Sequence, residues 1–218
     1  MKQPSILNKA ALALAAAGLL ASASAHADSL VVEQDQNTVM AFTVNAGGNQ
    51  LAVDTSIFNV TNQTTGESFV AFCYELLQGL SGAAATTGQD YTANAGAPGA
   101  VQTLYNQSFA GISLTNAVDV AAFQIALWEA LDDGNMNTGA VSGWAGAHGT
   151  LEEDEALLTA EGFLMTLGAG GGAGHFKLTT WTSPDSQDLI QSKIPEPTSL
   201  ALGALGLAGL SLVRRRKA

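Results

Sequence analysis

Cys73 is the residue with the greatest capacity for covalent chemistry, because it is the only cysteine among 218 residues. A disulfide within the chain is therefore impossible, since that bond needs two thiols. Four states remain open to this thiol: a buried inert side chain, a disulfide to another molecule, a catalytic nucleophile, or a partner in some other covalent bond. Residues 68–76 predict a strand that is apolar on both faces, so we expect Cys73 to be buried.

Gln124 interrupts the apolar face of the strongest predicted helix. This helix begins after Asn116, a good N-cap, and ends near Gly134. Its predicted buried face contains Val120, Gln124, Leu127 and Leu131, and its predicted exposed face contains Asp119, Ala122, Ala126, Glu129 and Asp133. Burying an unpaired amide costs about 1–3 kcal/mol, so Gln124 needs partners. Those partners are either backbone groups of a sheet or a group that reacts with the amide.

Together, Cys73 and Gln124 resemble a known pair. Phe72-Cys73 on a strand, followed by Phe123-Gln124-Ile125-Ala126-Leu127-Trp128 on a helix, resembles the thioester domains of bacterial surface adhesins. In that family a Cys thiol condenses with a Gln side-chain amide, releasing ammonia, and the bond later reacts with a nucleophile on the target. The resemblance implies a thioester between Cys73 and Gln124. It also implies a shield against water, formed by Phe72, Phe123, Leu127 and Trp128.

A Cys-His pair is the enzymatic alternative, with Cys73 as nucleophile and His148 or His175 as base in a hydrolase or transamidase. Nothing in the spacing brings either histidine near Cys73, and a strand-interior cysteine lacks the helix N-terminus that often lowers a catalytic thiol's pKa. We therefore predict that the protein is not an enzyme, has no catalytic residues and needs no cofactor. A structural or carbohydrate-binding protein with an inert cysteine remains the main alternative to the thioester.

One oxygen-rich segment invites a metal interpretation. Residues 132–137 read Asp-Asp-Gly-Asn-Met-Asn, but they lack the spacing and the distal Glu of an EF-hand loop. We predict a helix-ending turn there and no metal site.

The elements that must position these residues are mostly strands. Alternating patterns predict strands over 39–44, 51–61 and 68–76 as an antiparallel meander, and a closing strand over 176–182. Residues 77–111 form a long connection of low complexity with a short helical possibility at 100–107, and the capping box at Thr150–Glu153 predicts a second helix over 151–167. The predicted fold class is α+β: one β-rich domain, an antiparallel sheet or sandwich, with two helices.

Both ends of the chain read as export signals. Residues 1–27 have a basic start, an apolar run and a small-x-small cleavage site, which is typical of a signal peptide. Near the other end, Pro195-Glu196-Pro197 precedes an uncharged apolar segment at 198–213 and the basic residues Arg214, Arg215 and Arg216. The apolar segment predicts a short transmembrane helix with its basic tail in the cytoplasm. Residues 28–193 would then form a domain outside the inner membrane.

The order Pro-Glu-Pro, apolar helix and basic tail resembles the PEP-CTERM sorting signal of Gram-negative bacteria, here over residues 194–218. The resemblance implies processing by an exosortase-type membrane protease after transient anchoring in the inner membrane. It further implies delivery to the cell surface or to an exopolysaccharide biofilm matrix. Adhesion is the role that the separate resemblance to the thioester domains of surface adhesins implies. A hydroxyl or amine on exopolysaccharide or on a surface protein would be the partner of the thioester.

The net charge of residues 28–193 argues against anionic partners. Residues 28–193 contain two basic side chains, Lys177 and Lys193, against eighteen acidic ones. This excess of negative charge favours solubility and argues against binding to nucleic acid or anionic lipid.

Overall fold

The computed structural model describes residues 27–167 and 176–194, which contain nine strands and three α-helices. The strands are β1 (Asp28–Gln34), β2 (Met40–Ala46), β3 (Asn49–Thr55), β4 (Ile57–Asn62), β5 (Ser68–Cys73), β6 (Gln89–Ala95), β7 (Val141–Gly146), β8 (Lys177–Ser183) and β9 (Ser186–Lys193). The helices are α1 (Gly99–Ser108), α2 (Ala117–Leu131) and α3 (Leu151–Leu167), with a 3-10 turn at Phe109–Gly111. The predicted signal peptide and the predicted transmembrane helix lie outside the described residues.

Six strands close into an antiparallel barrel in the order β1-β4-β5-β9-β8-β6, with β6 paired to β1. Every strand of the barrel contributes to one buried cluster, which is therefore the barrel interior. Its strand members are Leu30, Val32, Phe58, Val60, Ala71, Cys73, Tyr91, Trp181 and Leu189. The predicted class, one β-rich domain of antiparallel strands, is confirmed; the sheet closes on itself where a sandwich would leave two layers.

The remaining three strands form a second antiparallel sheet in the order β3-β2-β7. The β2–β3 hairpin turns at Gly47 and Gly48, whose positive φ angles of 57° and 83° suit a tight two-residue turn. All three helices belong to a second buried cluster that covers the outer face of the barrel through Phe72, Leu178 and Ile190. The sheet contributes Phe42 to the same cluster.

Helix α2 is buried on all sides. Asn116 caps it as predicted, because its side-chain oxygen accepts from the backbone N–H of Val118 at 2.8 Å. The predicted exposed face is wrong for Ala122, Ala126 and Glu129, because every residue from Val120 to Ala130 is buried. Asp133 is exposed as predicted, and Asp119 is half-buried. Helix α3 and the three-stranded sheet contact α2 and cover the face that the sequence pattern left to solvent.

The predicted strand over 51–61 is two strands in different sheets. The chain leaves β3 at Thr55, passes through Ser56 and enters the barrel as β4 at Ile57. The buried Ser56 hydroxyl lies 2.9 Å from the backbone oxygen of Asp35 and 3.1 Å from the hydroxyl of Thr38. Where the chain crosses from one sheet to the other, these hydrogen bonds satisfy polar groups that strand pairing would satisfy within a sheet.

The predicted capping box at the start of α3 is confirmed. Glu153 N–H donates to the Thr150 hydroxyl at 3.2 Å, and the Glu153 carboxylate accepts from Thr150 N–H at 2.9 Å. The same carboxylate accepts from His148 N–H and lies 3.0 Å from His148 Nδ1.

This capping arrangement predicts a pH-dependent contribution to stability. The hydrogen bond from Thr150 N–H, with further contributions from His148, holds the pKa of the Glu153 carboxyl below its ordinary value of 4.5. The folded state thus prefers the ionised form, so the contribution is present above the ordinary pKa and is lost as pH falls through the lowered one. We expect Glu153→Gln to be less stable than wild type in urea at neutral pH, with a smaller difference in acid.

Glu155→Gln is the matched control, because Glu155 is an exposed acid on the same helix. It should change stability little at either pH. An equal loss for Glu153→Gln at neutral and acid pH would contradict the role of its charge.

Candidate functional site

Cys73 is the last residue of β5, at the point where one neighbouring strand has ended. Strand β4 begins at Ile57, which pairs with Phe72, so β4 supplies no residue opposite Cys73. On the other side of β5, Tyr74 N–H donates to Asp188 O at 2.8 Å. Because successive backbone groups of a strand point to alternate sides, the N–H and C=O of Cys73 point to the side that β4 leaves open.

Gln124 fills this open position from α2. Its Oε1 accepts from Cys73 N–H at 2.9 Å, and its Nε2 donates to Cys73 C=O at 2.8 Å. Both residues are buried, with exposed fractions of 0% for Gln124 and 3% for Cys73. The amide thus acts in place of the missing strand partner, and the backbone interpretation of Gln124 holds.

The Gln124 amide binds the backbone of Cys73, and the side chain of this residue carries the thiol. It belongs to the barrel-interior cluster, and burial raises the pKa of its thiol well above the ordinary value. The predicted burial of Cys73 is confirmed. Burial thus favours the neutral form of the thiol, and the Gln124 side-chain amide lies against the backbone of the cysteine.

A cavity of about 290 Å³ borders Cys73, and Trp128 forms part of its wall. Polar side chains also border it: Gln34, Asp54, Gln78 and Gln187. Trp128 also borders a larger cavity of about 440 Å³, which is lined by Tyr74, Asp132 and Asp188 among others. Trp128 and Leu76 thus line both cavities.

The four side chains of the predicted shield lie on two sides of β5. Phe72, Phe123 and Leu127 belong to the cluster between the helices and the barrel, where the Phe72 and Phe123 ring centroids are 5.0 Å apart. Trp128 shares the barrel-interior cluster with Cys73. All four are buried, but only Trp128 borders the cavity next to the thiol.

The structure describes only one of the two candidate histidine bases. His148 lies at the start of α3 against Glu153, and it does not border the cavity beside Cys73. His175 lies outside the described residues.

The oxygen-rich segment after α2 forms the predicted helix-ending turn. Asp133 Oδ1 accepts from Asn135 N–H at 2.9 Å, and Asn135 Oδ1 accepts from Asn137 N–H at 3.0 Å. Gly134 has a φ of 76° and its N–H donates to Glu129 O at 2.7 Å, as expected of a helix C-terminus.

Trp144 is a site residue that sequence reasoning missed. Its ring stacks on Trp128 with centroids 5.9 Å apart and an interplanar angle of 7°. It lies on β7, in a segment rich in glycine and alanine that carried no strand prediction. A lone tryptophan in such a segment was the available signal.

The C-terminal region matches a known sorting motif. The family described as the PEP-CTERM protein-sorting motif matches residues 193–217, which include Pro195-Glu196-Pro197 and the three arginines. The chain carries a PEP-CTERM sorting signal. This PEP-CTERM signal marks the protein for export and sorting to the cell surface of a Gram-negative bacterium, with processing by exosortase, a membrane protease. Within residues 27–167 and 176–194, no helix combines the length and apolar character that crossing a membrane requires.

The described structure is also similar to a solved domain of another surface protein. The structure is similar to the N-terminal domain of the Streptococcus pyogenes pilus tip adhesin Cpa, with 14% sequence identity and a TM-score of 0.42. The similarity covers 73% of this chain and 96% of that chain. No curated protein matches the sequence.

Proposed function

We propose that this surface protein attaches covalently to a target through a thioester between Cys73 and Gln124. The observation that carries the proposal is the pair of hydrogen bonds from the Gln124 amide to Cys73, 2.9 Å and 2.8 Å long. They hold the amide on the residue that bears the only thiol of the chain. Proximity of this kind can replace much of the entropy cost of bringing two reactants together.

Formation of the bond balances without an oxidant or a cofactor. Cys73 Sγ bonds to Gln124 Cδ, the Cδ–Nε2 bond breaks, and the thiol proton leaves with the amide nitrogen as ammonia. A nucleophile on the target then attacks Gln124 Cδ, the carbon–sulfur bond breaks, and Cys73 recovers its proton. An amine gives an amide and a hydroxyl gives an ester. The event occurs once per protein molecule.

The cavity of about 290 Å³ beside Cys73 is the route for that nucleophile. Its polar side chains, including Asp54 and Gln187, offer hydrogen-bond partners to an amine or a hydroxyl. Trp128 limits the entry of water from the same side. Exopolysaccharide or a neighbouring surface protein is the proposed target, in keeping with delivery by the PEP-CTERM signal.

Catalysis by turnover is not part of the proposal. Formation of the thioester consumes the Gln124 amide, which the later attack by the target does not restore, so each molecule reacts once. The expectation that the protein is not an enzyme stays a prediction, and resistance of its attachment activity to a thiol alkylator would support it.

A structural or carbohydrate-binding matrix protein is the second candidate. Gln124 already has a structural role, because it binds both backbone groups of Cys73, and the thiol can then be inert. The cavity of about 440 Å³ combines the aromatic rings of Tyr74 and Trp128 with Asp132 and Asp188, which are side-chain types that bind sugars by stacking and hydrogen bonding.

Intact mass spectrometry tests the thioester. The full chain is expressed with its own export signals, purified after secretion and compared before and after treatment with methylamine. We expect a native mass lighter by one ammonia than the sequence of the processed chain, and a gain of one methylamine with release of a free thiol.

Cys73→Ala is the control of choice, because both hydrogen bonds of Gln124 go to the backbone of residue 73 and survive this change. The variant should fold, show no mass deficit and ignore methylamine. A wild-type protein of unmodified mass, with one thiol that titrates on unfolding, would overturn the thioester and leave the structural role.

A further inference from the structure

Three carboxylates meet at the C-terminal end of α2. One oxygen from each of Glu129, Asp132 and Asp133 lies within 4.8 Å of the other two. The end of a helix already carries a partial negative charge, so these three negative groups occupy an unfavourable place. Among the described residues, no lysine or arginine forms an ion pair with them.

Glu129 is the member of this cluster that protein contacts leave incomplete. Its side chain is fully buried, and its Oε1 accepts from Trp144 Nε1 at 2.5 Å. Its Oε2 is buried and has no hydrogen-bond partner in the described part of the chain. Leaving a buried charged oxygen unpaired costs more than the 1–3 kcal/mol typical of a neutral group, so a partner is expected.

The loop after α2 holds the two aspartates close to Glu129. Val141 N–H donates to Asp132 Oδ2 at 2.8 Å, and the Thr138 hydroxyl donates to Asp133 Oδ2 at 2.8 Å. Gly139 has a φ of 85°, and a Cβ on this residue would overlap both aspartate side chains. The backbone thus closes over the carboxylates as only glycine permits.

We propose that Glu129, Asp132 and Asp133 bind a calcium ion, with water completing its coordination. Calcium takes six to eight oxygen ligands at about 2.3–2.6 Å, so two ligands on opposite sides of the ion are up to about 5 Å apart. The separation of the three oxygens fits this limit. Magnesium requires ligand distances of about 2.0–2.1 Å in a regular octahedron. Carboxylates from a helix end and a loop form an irregular set of ligands, which fits this geometry less well.

Electrostatics favour the same ligand. The three carboxylates repel one another at this short separation, and the burial of Glu129 adds a desolvation cost to its negative charge. A divalent cation offsets both effects. It also supplies the partner that Oε2 lacks, and it ties the end of α2 to the loop that leads into β7. Outside the cell, sites of this kind bind calcium with dissociation constants of about 10⁻⁴–10⁻³ M.

This site was not predicted from sequence, because Glu129 was expected on an exposed face. The segment 132–137 alone has neither a calcium-loop spacing nor a distal Glu. The buried carboxylate one helical turn earlier supplies the third ligand.

Terbium luminescence tests the proposal on the full chain purified after secretion. Terbium replaces calcium and emits when a nearby tryptophan transfers excitation, and Trp144 contacts Glu129 directly. We expect tryptophan-sensitised emission that calcium displaces, and a melting temperature that is higher in millimolar calcium than in EDTA.

Glu129→Gln keeps the size of the side chain and an oxygen that can accept from Trp144, and it removes the charge. It should weaken calcium binding by about tenfold or more, since affinity follows the number of charged ligands. Asp133→Asn changes an exposed position and should weaken binding as well. It provides the test if Glu129→Gln does not fold. Glu155→Gln is the matched control and should bind as wild type does. The absence of displaceable emission in wild type, or equal binding by wild type and both site variants, would overturn the proposal.

Discussion

Gln124→Ala, made in a Cys73→Ala background, is expected to lower the free energy of unfolding by roughly 2–6 kcal/mol. The change leaves the N–H and C=O of residue 73 buried without partners, at about 1–3 kcal/mol each. Strand β4 cannot replace the amide, because its pairing with β5 stops at Ile57 and Phe72. The Cys73→Ala background excludes any contribution from a thioester, so only the hydrogen bonds are measured.

Urea unfolding at equilibrium provides the measurement, with Gln191→Ala as the matched control. Gln191 is also buried, but its Oε1 accepts only from Trp181 Nε1 at 3.2 Å and its Nε2 has no partner in the described residues. Its loss should therefore cost less than the loss of Gln124. Equal costs for the two variants, or a cost below about 1 kcal/mol for Gln124→Ala, would contradict the completion of the sheet by the amide.

Phe123→Ala is expected to destabilise the protein by about 3–5 kcal/mol, the range for removing a fully buried phenylalanine. The Phe123 ring lies 5.0 Å from Phe72 on β5 and 5.0 Å from Tyr105 on α1, centroid to centroid. It lies 5.4 Å from Phe109 in the 3-10 turn and 6.3 Å from Phe163 on α3. Its loss therefore leaves a cavity where the barrel and two helices meet.

Phe123→Leu serves as the control, because it keeps most of the apolar volume and should cost less than half as much as the alanine variant. The two proteins are compared by urea unfolding with the denaturant slope checked for two-state behaviour. A loss below about 1 kcal/mol for Phe123→Ala would mean that the neighbouring rings close the cavity.

Local signals predicted the ends of the helices well. Asn116, Gly134 and the Thr150–Glu153 box each act within a few residues of themselves, so their hydrogen bonds can be read from spacing alone. The short helical possibility at 100–107 is helix α1, which the predicted fold with two helices does not count.

Strands that depend on distant partners were not predictable in the same way. Strand β6 lies within residues 77–111, which the sequence pattern predicts to be a long connection. Only Tyr91 of its seven residues is buried, so the strand has little apolar signal. Strand β9 lies in a segment for which the sequence pattern predicts no strand, but it joins β5 to β8 and completes the barrel. Ser56 divides one alternating run between two sheets, and alternation alone cannot show to which sheet a residue belongs.

The candidate site was predictable in its residue types and not in its geometry. A lone cysteine and a buried amide pointed to each other through their chemistry, and the structure brings them together across 51 residues of sequence. That the contact goes to the backbone of Cys73 depends on where β4 ends, which no local pattern encodes. The carboxylate cluster depends on tertiary packing as well, because burial of Glu129 requires α3 and the three-stranded sheet.

Strand β9 leaves almost no tether between the folded domain and its sorting signal. It ends at Lys193, and only Ile194 separates that residue from Pro195. Two fully extended residues span about 7 Å, less than the diameter of one helix. A protease that cuts near Pro-Glu-Pro must therefore reach the chain next to the end of β9, at the rim of the closed barrel. Because β9 pairs with β8 up to Lys193 and with β5 at residues 189–191, drawing more of the chain into a protease would require opening the barrel.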